Sequence, residues 1–151
     1  MTFSYQESTA KQDEQINWIT FEQLSDSLIS KPKKVFIDFY ADWCQQCKNM
    51  QKNVFTDTNV INELNNNYYS VKMNVETNDT IVFGDQIFVN ERRDKRNPVH
   101  QIPLLMASRT DKPFSLPAMV IFDENFSPIA RYFQFIDAEQ LLLILKGESE
   151  E

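Results

Sequence analysis

Apolar residues follow two different periods along this chain, and the changes of period mark out its elements. "KVFIDFY", residues 34–40, is a continuous apolar run broken only by Asp38, the pattern of a central strand covered on both faces. Asp38 is thereby expected to be a buried acid. "YYSVKMNVE", residues 68–76, alternates instead, with Val71, Met73 and Val75 on one face and Lys72 on the other. "INWI", 16–19, reads as a short first strand, and "PAMVIFDE" and "PIARYFQF" as two strands joined tightly through "NFS". Helices fall between them. Thr20 and Gln23 form a capping-box pattern that opens a helix over 21–30, closed by Pro32. A second helix runs from Cys44 to about Asn53 with Met50 and Val54 on its apolar side, and a third lies in "TDTNVINELNNNY" with Asp57 or Thr58 as its cap. Asp137 and Gln140 cap a terminal helix, "AEQLLLILKG", which Gly147 ends.

The order through residue 76 is βαβαβ, an α/β pattern. Residues 77–115 follow it less clearly. Gly84-Asp85 between two apolar runs predicts a small hairpin, and Asn97-Pro98 could open a helix through about Ser108, which Pro103 would bend or shorten unless the helix begins there. Residues 1–15 are polar and read as a flexible lead-in, 16–147 as one domain, and 148–151 as an acidic tail.

A chain of 151 residues can bury about 68–70% of the surface it exposes when unfolded, so it needs no covalent staple. Two glycines leave the turns to Asn, Asp and Pro, and the thirteen asparagines are expected to fill some left-handed positions. A net charge of −7 argues against nucleic acid, and the stretch Arg92, Arg93, Lys95 and Arg96 is diluted by Glu91 and Asp94 into a solvated loop. No apolar run approaches the length of a membrane span, and the first residues lack the basic-then-apolar pattern of a signal peptide.

"FYADWCQQCKN", residues 39–49, places Cys44 and Cys47 three apart at a strand-to-helix junction. Three readings are open. As a structural disulfide the ring would contribute only roughly 2 kcal/mol by loop entropy. As a zinc site the pair lacks partners, since structural zinc takes four Cys or His ligands and His100 is the one histidine. As a redox couple the spacing suits the chemistry, because both sulfurs fall on one side of the first helical turn. Cys44, at the positive end of the helix dipole, is then the attacking thiolate, and Cys47, a turn deeper, resolves the mixed disulfide.

These residues resemble the thioredoxin family. "DFYADWCQQCK" is similar to its active-site signature, "VKMNVE" to the strand that follows, and "SLPAMVIFDENFSPIARYFQF" to its cis-proline strand and the antiparallel strand after it. The resemblance implies the thioredoxin fold, a central mixed sheet flanked by helices, with 77–115 as an insertion before the cis-proline strand. It also implies a thiol:disulfide oxidoreductase of reductase or isomerase type, needing no bound cofactor or metal. Its partners would be protein thiols or disulfides and an upstream electron donor, and the chain would be a monomer. Asp38 would aid proton transfer at Cys47, and Lys72 would pair with Asp38 or remain a solvated strand lysine. Trp43 would shield the couple and help form the docking surface, with Leu116 and Pro117 on the substrate edge and the Leu116–Pro117 bond cis. Gln45-Gln46 stands where the family usually has Gly-Pro. "ADWC" with "NVFTDTNVINELN" looks more like the thioredoxin-like domains of bacterial envelope proteins, which implies the periplasm or cell envelope; the cytoplasm is the alternative. A rival reading is a redox-inactive binding module in which the 77–115 insertion, with Phe83, Phe88 and His100, recognises a partner.

Overall fold

The strand and helix patterns come together in the computed structural model around a five-stranded sheet; it describes residues 14–148. Most of the expected flexible segment and the tail beyond Glu148 lie outside the described residues. In chain order the elements are β1 (Trp18–Ile19), α1 (Phe21–Ser30), β2 (Lys34–Tyr40), α2 (Gln45–Asn53), α3 (Thr58–Asn67), β3 (Tyr68–Asn74), β4 (Ile81–Phe83), β5 (Gln86–Phe88), α4 (Gln101–Ala107), β6 (Ala118–Phe122), β7 (Pro128–Tyr132) and α5 (Ala138–Leu145). The sheet order is β1-β3-β2-β6-β7, with β1, β3 and β2 parallel and β6 and β7 antiparallel to their neighbours. The sheet is therefore mixed.

Period-2 alternation sends each central strand into two separate cores. Phe36, Met119 and Ile121 face α2, α3 and α5, packing with Met50, Val54, Val60, Leu64 and Leu141. Val35, Ile37, Phe39, Val120 and Phe122 face the other way, toward Phe21 and Leu24 of α1 and Ile102 of α4. That double cover is why β2 reads as a continuous apolar run.

Caps form where the side chains allow. Thr20 Oγ1 accepts from the Gln23 amide while Gln23 Oε1 accepts from the Thr20 amide. Asp57, rather than Thr58, caps α3 by accepting from the Asn59 and Val60 amides. The fourth helix begins at Gln101 instead of Asn97, which leaves Pro103 in the first turn, where its missing N–H has no intrahelical partner to lose. The asparagines do not take the left-handed positions. Among the described residues these belong to Gly84, Gly147, Asp111 and Phe126. Asparagine side chains close turns instead: Asn74 Oδ1 accepts from the Glu76 amide and Asn90 Oδ1 from the Arg92 amide. Phe126, at φ 58°, stacks on Phe122 with centroids 4.1 Å apart, which offsets a backbone cost of roughly 1–2 kcal/mol.

The 77–115 segment is folded onto the domain. β4 and β5 form the expected hairpin, with Gly84 at φ 64° in its two-residue turn. The hairpin lies on α1: the Val82 amide donates to Glu22 Oε2, the Gly84 amide to Ser25 Oγ, and the Phe83 ring meets Phe21 edge-on. His100 fastens the segment's far end. Fully buried, it caps α4 by accepting at Nδ1 from the Ile102 amide, which assigns the proton to Nε2, and Nε2–H donates to the Asp79 carbonyl at 2.9 Å. Replacing His100 with Ala leaves the Asp79 carbonyl and the buried Ile102 N–H without this partner, at about 1–3 kcal/mol for the buried group and less for the other. Urea unfolding is expected to show His100→Ala destabilised by about 2–4 kcal/mol. A change below about 0.5 kcal/mol, the range of ordinary surface substitutions, would contradict this role.

Candidate active site

The strand β2 ends at Tyr40, and Ala41, Asp42 and Trp43 turn the chain into α2. The Cys44 amide donates to the Ala41 carbonyl at 3.1 Å, closing that turn. Cys44 is the N-cap of α2 and not its first helical residue, a boundary shift with a chemical consequence. Its Sγ accepts from the Cys47 backbone N–H at 3.1 Å, so an otherwise unpaired helix donor points at this sulfur. Cys44 and Cys47 form a disulfide, with Cα atoms 5.2 Å apart. Both cysteines are 4% exposed, so in this oxidised state burial does not separate the attacking sulfur from the resolving one. The N–H on Cys44 Sγ does.

Asp38 lies inside β2, opposite Lys72 of β3 on one side and Met119 of β6 on the other. It is 3% exposed, and burial pushes its carboxyl up to about 8, with the positive charge of Lys72 pulling back more weakly. Sharing a register position does not make them an ion pair: among the described residues no Asp38–Lys72 contact falls within 4.0 Å. The Lys72 ammonium sits 5.5 Å from the Trp18 ring centroid instead, on an exposed residue. Tyr40, at the strand's end, also has its hydroxyl pKa raised, first by burial and then by Asp42 and Asp38.

Trp43 is 66% exposed, so it is not a packed core residue. Its Nε1–H donates to Glu76 Oε2 at 2.8 Å, which holds the ring over the sheet end. Glu76 is a neighbour of the cysteine loop that the sequence did not single out; its signal was an acid just past the end of β3. The Leu116–Pro117 bond is cis, with Pro117 buried and Leu116 half-buried immediately before β6. The three insertion residues considered for partner binding point inward. His100 is fully buried and bonded through both ring nitrogens, while Phe83 and Phe88 pack against the α1 side of the core. Among the described residues no group of three or more His, Cys, Asp or Glu is placed to hold a metal ion, and no helix is long and apolar enough to cross a membrane.

The strand–turn–helix carrying a CxxC disulfide, the buried acid within that strand and the proline-led strand agree with a family match that spans residues 21–147, to the family described as Thioredoxin-like domain. The chain belongs to that family. This thioredoxin-like domain is 28% identical over 124 residues to the thiol:disulfide interchange protein DsbD of Campylobacter jejuni strain RM1221, covering 81% of this chain and 17% of that protein. Against DsbD of Escherichia coli K12 it is 29% identical over 123 residues, covering 80% of this chain and 18% of that one. It therefore spans about a sixth of the length of these curated relatives. Among solved structures the domain resembles a DsbH oxidoreductase, with TM-score 0.58 and 15% identity over 100% of this chain and 94% of that one. It also resembles the oxidised C-terminal domain of Neisseria meningitidis DsbD, with TM-score 0.57 and 18% identity over 84% and 90% of the two chains. These structural likenesses establish the fold.

Proposed function

We propose that this domain is a thiol:disulfide oxidoreductase that exchanges disulfides with protein substrates through Cys44 and Cys47. The observation that carries the proposal is the Cys44–Cys47 disulfide at the start of α2, with a helix N–H directed at Cys44 Sγ. That hydrogen bond and the helix dipole favour negative charge on Cys44 once the pair is reduced, which gives a nucleophile below the free thiol pKa of about 8.5.

In the forward direction the Cys44 thiolate attacks one sulfur of a substrate disulfide. A Cys44–substrate bond forms, and the other substrate sulfur leaves as a thiolate and takes a proton. Cys47 then gives its proton to the Asp38 carboxylate and attacks Cys44 Sγ. The Cys44–Cys47 disulfide forms as the second substrate thiolate departs. Two electrons pass from the domain's dithiol to the substrate, and a protein dithiol must return them for another turnover. Lys72 acts on this step through the field it places on Asp38. Trp43, positioned by Glu76, and Leu116 with Pro117 form the surface on which an extended substrate lies, since proline leaves a backbone edge without a donor of its own.

We place the domain in the bacterial cell envelope, on its likeness to DsbD and to envelope thioredoxin-like domains; recovery from the cytosolic fraction of the source cell would overturn that placement. Insulin reduction with dithiothreitol as donor tests the activity. The domain is expected to shorten the lag before insulin B-chain precipitation in proportion to its concentration. A time course indistinguishable from dithiothreitol alone would favour a redox-inactive binding module.

A further inference from the structure

In a chain of net charge −7, three cations gather where β7 meets the loop leading into Leu116–Pro117. The Arg109 guanidinium lies 3.9 Å from the Phe133 ring centroid, and its Nη2 donates to Ser115 Oγ at 2.8 Å. Arg131 approaches the same ring at 5.4 Å, and its Nη1 donates to the Ser108 and Met106 carbonyls. Lys112 is exposed and bridges to Arg109 across a tight turn in which Asp111, the one acid there, takes φ 64°. A guanidinium stacked on a ring and hydrogen-bonded at one nitrogen is fixed in place, with donors left for a carboxylate.

The topology puts this corner at the reactive end of the sheet. Tyr132 pairs with Met119, which pairs with Asp38, so Phe133 stands one residue further toward the end where β2 runs into the cysteines. Ser115, which Arg109 touches, precedes Pro117 by two residues, so the guanidinium is within roughly 10 Å of Pro117. Across the cysteines, on the β3 side, the charges are of opposite sign: Asp42 is exposed, and Glu76 is bonded to Trp43. The loop around Trp43 is therefore acidic through Asp42 and Glu76, and the β7 corner is basic.

We propose that Arg109, supported by Lys112 and Arg131, determines substrate specificity by selecting extended protein segments with a carboxylate two to four residues from the reacting cysteine. An extended chain advances about 3.3 Å per residue, so two to four residues span roughly the 10 Å between the guanidinium and the Pro117 edge along which the substrate is proposed to lie. The inference rests on the exchange function proposed above.

The test uses the reduced domain and two peptide disulfides, identical except for Glu or Lys three residues from the cysteine, with bis(2-hydroxyethyl) disulfide as an uncharged reference. Rates are followed by stopped-flow tryptophan fluorescence. At about 20 mM salt the Glu peptide is expected to react about tenfold faster than the Lys peptide, and the gap is expected to close near 1 M, where screening acts within about 3 Å. Arg109→Gln is expected to cut the Glu/Lys ratio about fivefold, and Arg109→Lys to retain most of it. Lys112→Gln, at an exposed side chain, is expected to cut it about twofold. Equal rates in the wild type, or a ratio that survives Arg109→Gln, would overturn the proposal. A loss that falls equally on all three disulfides would overturn it too, since it would mean that Arg109 acts only by holding Ser115. Failure of the wild type to reduce even the uncharged disulfide would instead remove the exchange function, and this inference with it.

Discussion

Cys47→Ser protein incubated with an extract of its source cell is expected to accumulate covalent complexes joined through Cys44, stable to SDS and released by dithiothreitol. Removing the resolving thiol leaves the first bond-forming step intact, because Cys44 keeps its place at the N-cap and the backbone N–H of residue 47 that bonds its sulfur. A serine hydroxyl cannot carry out the second attack. The mixed disulfide then decays only through outside thiols, and turnover in the insulin assay falls to the level of the uncatalysed reaction. Cys44→Ser is expected to lose turnover equally but to trap nothing, since among the described residues no helix N–H is directed at Cys47 Sγ, which lies one turn further along α2. Non-reducing gels of the two variants check this. Complexes on Cys44→Ser and none on Cys47→Ser would reverse the two roles, and none on either would favour the binding-module reading.

Asp38→Asn is expected to make the oxidised domain more stable and the reduced domain slower. Burial pushes the Asp38 carboxyl up to about 8, whereas an exposed carboxyl in the unfolded chain titrates near its ordinary value of 3.8. Between those values the folded chain holds a proton that the unfolded chain has released, so rising pH favours unfolding. The contribution is harmless below about pH 4, grows more unfavourable up to about pH 8 and then levels off. The difference between 3.8 and about 8 corresponds to about 6 kcal/mol at most. Asn has nearly the same shape and no charge at any pH, so the gain on substitution should be near zero at pH 4 and reach about 3–5 kcal/mol above pH 8. For a chain of this size that is a rise in melting temperature of about 10 °C. Catalysis moves the other way. At pH 7 about one molecule in ten carries the Asp38 carboxylate that accepts the Cys47 proton, and losing a positioned base slows the resolving step by about a hundredfold. Melting curves from pH 4 to pH 9 check the first effect and single-turnover decay of a preformed mixed disulfide checks the second. Parallel melting-temperature profiles for the two proteins would contradict the buried, proton-holding role of Asp38.

Much of this site could be read along the chain because its chemistry is local. Two cysteines three apart at a strand-to-helix junction have sulfurs within bonding reach, and one acid in "KVFIDFY" is buried because both faces of that strand are covered. Contacts set by the sheet order could not be read in that way. Trp43 is bonded by Glu76, 33 residues away, and Lys72 reaches Trp18 on β1 instead of closing on Asp38. The family resemblance implies that Lys72 pairs with Asp38 or remains a solvated strand lysine; the two share a register position, but that constrains Cα atoms and leaves a four-carbon side chain free to choose a ring. The same limit hid the 77–115 segment. Its hairpin is announced by Gly84-Asp85, but the burial of His100 follows from Asp79 and α4 meeting in space, and the Arg109–Phe133 stack from β7 ending beside the proline loop. Asparagine offered a misleading cue: many asparagines and few glycines suggested left-handed asparagines, whereas a phenylalanine takes such a position for the sake of its stack on Phe122.

The most direct test of the central claim is the redox equilibrium of the Cys44–Cys47 pair. The domain is equilibrated in buffers of graded thiol/disulfide ratio, quenched in acid, alkylated, and scored by mass for the intact disulfide. A working couple is expected to show one reversible two-electron transition, with its midpoint within about −270 to −120 mV, the span from thioredoxin to DsbA. A midpoint below about −300 mV, where structural disulfides lie, would make the bond a fixed clip and contradict the function proposed here.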